Sequence, residues 1–392
     1  MKRFIIVLLA GLLAWGAAQT RPGVTDTEIR IGTWGPQSGP AAAWGTVITA
    51  IDAYFRWVND QGGIHGRNLV LVSRDDGYDP ARSVAAVREL NDRERVFAFV
   101  GGIGTANGLA VMPIVKREGI PWVSPSTGST VFARESDGLI FATFTNYEVE
   151  SALMTRYAVE ELGNTRLAIF YQNDDYGEEG LRGMEEEVER LREAGHNITI
   201  VDRVSYERAE TNMAVQALRL RGGDADAVLM YSTPGAAAAL IAEFQRLDYR
   251  PRILASSTLL DPTLLANPGM QGALLASFLR LPSVIVGEGN GDPIADDILM
   301  NVIMRYAPEA ARDPFRALAG VGFAQPLVEA LRAAGPDVSR ESLLEALRAI
   351  EGYDTGLFAN LDFTESFQGN NSIILLQMTP QGLRPASDFI TF

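Results

Sequence analysis

The chain has 392 residues, no cysteine, and 49 acidic against 34 basic side chains, for a net charge of −15. That length is more than one core usually holds, so two domains are expected. The missing cysteines exclude disulfides, thiolate metal sites and cysteine nucleophiles, and the acidic balance excludes a nucleic-acid face, which needs clustered Lys and Arg. Lysine occurs only at positions 2 and 116, which leaves a phosphate-binding or Schiff-base lysine hard to place.

In chain order, Met1-Lys2-Arg3 is a basic start and Phe4 to Ala14 an apolar run too short to span a bilayer. With the small residues Gly16-Ala17-Ala18 it reads as a signal peptide, residues 1–18, cut before Gln19. The mature chain is therefore expected outside the cytoplasm, where ATP and NAD are scarce, and no cofactor is expected. Strand and helix then alternate. Glu28 to Trp34 reads as a strand, and Ile48, Ile51, Phe55 and Val58 form a helix stripe that stops at Gly62-Gly63. Leu69 to Val72 is a strand, and Asp79-Pro80 an N-cap followed by a first helical residue. Val96–Val100 and Pro121–Ser124 read as strands flanking a helix over Leu109–Lys116. The rhythm restarts with strands at Leu167–Tyr171, Val201–Ser205, Ala227–Tyr231 and Arg252–Ala255 and helices between them. In the first of these helices Glu185-Glu186-Glu187 reads as a solvated face. A helical block opened by Asp292-Pro293 and Asp313-Pro314 follows, then strand-like runs at Gly356–Phe363 and Ser372–Met378. Repeated βα units imply two α/β lobes built on mainly parallel, doubly wound sheets.

Chemistry gathers at the ends of strands. Gly102-Ile103-Gly104-Thr105-Ala106-Asn107-Gly108 links a strand to a helix, where free amides and the helix dipole favour an anion. A dinucleotide reading fails because the next strand ends in Ser124-Pro125-Ser126, with no acidic residue; a plain tight turn stays open. Loops after adjacent parallel strands converge, so Thr105, Ser126, Thr127 and Ser129 offer neutral hydroxyls to one ligand. Tyr176 follows Asn173-Asp174-Asp175 at the end of the second lobe's first strand and is placed to face the same cleft. His65 and His196, the two histidines, fall in turns away from metal or nucleophile partners, and no Gly-x-Ser-x-Gly occurs. Asp75-Asp76-Gly77-Tyr78-Asp79 lacks a calcium loop's length and terminal glutamate. No enzyme activity and no metal are expected.

Five segments in this order resemble one family: Ser38-Gly39-Pro40, Asn59 to Gly66, Asp75 to Pro80, Gly119-Ile120-Pro121 running into Ser124-Pro125-Ser126, and Tyr171 to Gly177. From about Thr27 onward the chain resembles the extracellular solute-binding proteins of ABC importers, of the branched-chain amino acid (leucine/isoleucine/valine) type, with periplasmic binding protein fold type I. The resemblance implies two Rossmann-like lobes joined by a three-strand hinge, residues 27–145 plus 278–350 and 146–277 plus 351–392, closing on a ligand. It implies a monomeric partner of permease transmembrane subunits, in the periplasm or at the cell surface; a sensor of the same fold is the alternative. Residue by residue, Trp44 takes a pocket aromatic position, Thr105 the hydroxyl that holds a ligand carboxylate, Ser126 a backbone contact, and Tyr176 the second lobe's aromatic. Gly128 stands where many members have Thr, so that bond is absent or passes to Thr127 or Ser129. Ser257 stands where amino acid binders carry a Glu for the ligand ammonium. A buried ammonium without a counter-charge is costly. Either Asp261 or another acid substitutes, or the ligand is a carboxylate or amide without an α-amine.

Overall fold

The computed structural model describes residues 21–39 and 41–391; the expected signal peptide lies outside them. Two sheets organise the chain. The first contains β1 (Glu28–Gly35), β2 (Asn68–Asp75), β3 (Ala98–Val100), β4 (Trp122–Val123) and β5 (Ile140–Phe141). Its order is β2-β1-β3-β4-β5 and every pairing is parallel. Helices α1 (Gly45–Asp60), α2 (Pro80–Asp92), α3 (Thr105–Glu118) and α4 (Thr130–Arg134) connect its strands. β3 and β4 are buried along their whole length, as expected of central parallel strands covered on both faces.

The second sheet contains β6 (Arg166–Gln172), β7 (Thr199–Tyr206), β8 (Ala227–Tyr231), β9 (Arg252–Ala255) and β10 (Leu274–Ser277), followed from the end of the chain by β11 (Ser372–Thr379), β12 (Gly382–Pro385) and β13 (Ile390–Thr391). β6 to β10 pair in parallel, whereas β11 runs antiparallel to β10, and β12 and β13 antiparallel to β11. Its helices include α5 (Tyr147–Glu160), α6 (Asp175–Glu193), α7 (Ala214–Gly223) and α8 (Pro234–Arg246). The sheets form two lobes, and the chain passes between them three times. It crosses after β5, returns after β10 to the helix Pro314–Ala333 that packs on α1, and crosses again before β11.

Local sequence accounts for these elements. Ile48, Ile51, Phe55 and Val58 are all buried on α1. Asp79 caps α2, accepting hydrogen bonds from the Ala81 and Arg82 amides, with Pro80 in the first turn. The helix Pro314–Ala333 is buried on nearly all sides. It approaches α1 closely because Gly320 faces the Val47 carbonyl, where a Cβ would stand 2.4 Å from the oxygen. Arg340, at the start of the helix Arg340–Arg348, fixes that helix to the first sheet by donating to the Phe97, Val96 and Glu118 carbonyls.

Two expectations are corrected. Gly356–Phe363 is not a strand. The Thr355 hydroxyl accepts from the Leu357 and Phe358 amides and bends the chain, so Leu357, Phe358, Leu361 and Phe363 are buried as a plug. Their alternation reflects burial without a ladder. The Glu185–Glu187 run is not uniformly solvated either. Glu187 is 4% exposed and accepts from both Arg156 and Arg190, a paired carboxylate rather than a surface one.

Candidate ligand-binding site

Between the lobes lies a cavity of about 40 Å³ whose walls come from the carboxyl ends of strands in both sheets. The first sheet supplies Ala41 and Trp44 after β1, Tyr78 after β2, Ile103, Gly104 and Thr105 after β3, and Ser126 after β4. The second lobe supplies Tyr147 at the start of α5, Tyr176 after β6, Ser232 and Thr233 after β8, and Thr258 after β9. This is the place where open α/β sheets collect ligands. No side chain in that lining carries a charge.

On the first lobe's side Gly104 immediately precedes α3, with a φ of 100° that needs glycine. No side chain caps this helix, so its first-turn amides face outward as donors. The Thr105 hydroxyl bonds the Thr127 hydroxyl at 2.6 Å. The Ser126 hydroxyl is buried without a protein partner, while its amide donates to the Gly102 carbonyl. On the opposite side the Tyr176 hydroxyl is tied to Thr258 at 2.6 Å and Ser256 at 3.1 Å. That anchors the ring, which packs edge-on against Tyr147. Burial holds the hydroxyl pKa of Tyr147 and of Tyr176 well above the ordinary value, so both stay neutral donors.

Of the residues expected from the sequence, Trp44, Thr105, Ser126 and Tyr176 are brought together in the lining. Thr127 stands one hydroxyl behind, against Thr105. Gly128 is behind the wall too. A Cβ there would lie 1.9 Å from the Thr145 carbonyl, so no side-chain bond can start from this position. Ser129 turns away to donate to Glu179 at 2.5 Å. Ser257 is fully buried outside the lining, its amide donating to Glu150 at 3.2 Å.

The structure decides against Asp261 as a free counter-charge. One of its oxygens accepts from the Thr263 and Leu264 amides, and the other meets Arg316 at 2.9 Å. Burial alone would raise this carboxyl, yet Thr263 and Arg316 hold it below its ordinary value. Arg316 is itself fully buried, lies 5.0 Å above the Trp44 ring and donates to the Thr258 carbonyl. It thereby positions one lining residue from each lobe.

Sequence reasoning missed Tyr78, Tyr147, Ser232, Thr233 and Thr258. Ser232-Thr233 follows β8 at the same sheet edge that drew attention to Ser126, so the convergence rule could have found the pair. It also missed two buried carboxyls. Glu150 accepts from the Tyr231 hydroxyl at 2.9 Å, and burial pushes it up to about 7. Glu179 is likewise pushed up to about 7 by burial.

A family model described as periplasmic binding protein matches residues 28–382. The chain belongs to the periplasmic binding protein family. A leucine-specific-binding protein of Salmonella typhimurium is 25% identical over 206 residues, which cover 52% of this chain and 54% of the relative. The match thus spans about half the length of such curated relatives. Two solved structures align over almost the whole chain. A fatty acid ABC transporter substrate-binding protein from Thermomonospora curvata is 25% identical, with a TM-score of 0.83 and coverage of 95% of this chain and 94% of that one. A substrate-binding periplasmic protein from Ralstonia solanacearum is 27% identical, with a TM-score of 0.81 and coverage of 91% and 100%. Among the described residues of this periplasmic binding protein, no helix is long and apolar enough to cross a membrane. The family is one of binding proteins and not of enzymes.

Proposed function

We propose that this periplasmic binding protein is the exported solute-binding component of an ABC importer, acting as a monomer that presents a closed, loaded cleft to permease subunits. In this reading residues 27–145 with 278–350 form one lobe and 146–277 with 351–392 the other. The ligand is a small carboxylate with an apolar or aromatic body and no ammonium group. The α3 amides with Thr105 and Ser126 receive its carboxylate, while Trp44, Tyr147 and Tyr176 pack its body.

The uncharged lining carries this reading. The neighbouring acids are engaged elsewhere: Asp261 with Arg316, Glu150 with Tyr231 and Ser257, Glu179 with Ser129. An ammonium would enter the cavity without a counter-charge, at a cost of several kcal/mol, roughly that of an unpaired buried ion. The leucine-specific relative supports a second reading, a branched-chain amino acid.

One comparison separates them. Leucine, 4-methylpentanoate (leucine without its amine) and phenylacetate are titrated against the purified protein by calorimetry and thermal shift. The amine-free acids are expected to bind and leucine is not; tight leucine binding with no response to the acids reverses the assignment. Thr105→Val is expected to weaken the acid that binds by about tenfold, one lost hydrogen bond to a charged group.

A further inference from the structure

Tyr78 is held in a conformation its chemistry does not favour. Its φ is +64°, an outlying value for a bulky residue and one that persists only when the surroundings enforce it. Here they do so from every side. Its amide donates to Asp76 at 2.8 Å, and Asp76 is itself fully buried and held by Ser83 at 2.6 Å and Asn107 at 3.0 Å. Its hydroxyl faces Gln172 at 3.4 Å. Its carbonyl accepts from Arg208, whose guanidinium lies 4.1 Å above the ring. Arg208 comes from the second lobe, where it pairs with Asp174 at 3.2 Å, and it reaches over to Asn107 of α3 at 2.9 Å. The ring rests on Gly104, where a Cβ would stand 2.6 Å from it.

The ring fixed in this way is a partition. Tyr78 and Thr233 line the inner cavity of about 40 Å³, and the same two residues line an outer groove of about 740 Å³ walled by Pro80, Arg208 and Ala236. The inner space is much the smaller of the two, and the outer groove lies directly beyond the ring.

We infer that Tyr78, clamped by Arg208, is the residue that sets the length of ligand this protein accepts. A carboxylate seated at Thr105 and Ser126 extends its body toward Tyr78 and stops there. A longer acyl or aryl-alkyl chain would have to displace the ring from its contacts with Gln172, Arg208 and Gly104. Removing the ring joins the two spaces into one channel. This inference rests on the carboxylate reading above.

The test uses straight-chain carboxylates from butanoate to dodecanoate, titrated against wild type, Tyr78→Gly and Tyr78→Phe. Glycine suits the positive φ, so that variant removes the ring without adding backbone strain. Wild type and Tyr78→Phe are expected to share a length limit. Tyr78→Gly is expected to pass it, gaining about fourfold in affinity per added methylene beyond the wild-type limit. The same affinity order in Tyr78→Gly as in wild type overturns the inference. Should no carboxylate bind any of the three proteins, the carboxylate reading falls, and the partition is judged without a ligand. Trp44 lines the inner cavity and is 6% exposed. Quenching of its fluorescence by acrylamide should at least double, roughly, in Tyr78→Gly, and the gain should vanish in a Trp44→Phe background. Unchanged quenching refutes the partition.

Discussion

Replacing Glu150 by Gln tests the physical account of the second lobe's buried acids most directly. The carboxyl is fully buried, with one oxygen accepting from the Tyr231 hydroxyl and the Ser257 amide and the other unpartnered. Burial raises its pKa from the ordinary 4.5 to about 7. A carboxyl raised on folding favours the folded state in its neutral form. Its contribution is fully present below the unfolded value near 4.5 and is lost as pH rises through 7. At one and a third kcal/mol per unit, that shift amounts to about 3 kcal/mol at pH 8 to 9. Gln keeps an acceptor for Tyr231 and Ser257, and its amide nitrogen is no worse placed than the unpartnered oxygen. Glu150→Gln should therefore match wild type near pH 4.5 and exceed it by up to about 3 kcal/mol at pH 8. Urea unfolding of both proteins from pH 4.5 to 9 measures this. Glu179, also raised to about 7, titrates in both and cancels in the difference. A difference that stays flat across pH, or a variant less stable at pH 8, would show that the buried carboxyl is not charged at the expense of the fold.

Gly128→Ala drives a methyl into the Thr145 carbonyl and the Tyr147 ring. It should cost about 3 kcal/mol, the upper range for overpacking, read as a lower urea midpoint at unchanged slope. Arg316→Leu leaves the buried Asp261 and the half-buried Asp313 without their cation. It should cost about 3–5 kcal/mol by the same measurement. Adding Asp261→Asn and Asp313→Asn should recover part of the loss, and no recovery would mean that the guanidinium acts through Trp44 and the Thr258 carbonyl rather than through the carboxylates.

Much of the architecture was legible because parallel strands and their covering helices write their periods plainly. Ala98-Phe99-Val100 is a continuous buried run, the α1 stripe has helical spacing, and Asp79-Pro80 marks a helix start. Thr105 and Ser126 were legible for a different reason: loops after neighbouring parallel strands must converge. Tyr176 was legible from its place just after the first strand of the second lobe. Tyr78 was not. Its place depends on a positive φ and on an arginine 130 residues away that reaches it only in the folded chain. Glu150 escaped because an acid two residues from another in Tyr147-Glu148-Val149-Glu150-Ser151 reads as surface. The buried positions Tyr147, Glu150, Met154 and Ala158 nevertheless share one helical face, and an acid on that face was the available signal. Gly356–Phe363 misled because a buried plug and a strand can share an alternation.

The near-absence of lysine and the lack of cysteine have a practical consequence for watching this protein work. Lys116 is the single lysine among the described residues. It stands in the last turn of α3, the helix whose opposite end forms the hydroxyl cradle, and it pairs with Asp137 at 3.2 Å. A fluorophore carried there would sit about 16 Å from Thr105 along one rigid rod. A second dye on a cysteine introduced in the other lobe would have no native thiol competing for it. The composition thus leaves two orthogonal chemical handles on the folded chain, enough to test in single molecules whether the lobes open and close on a ligand.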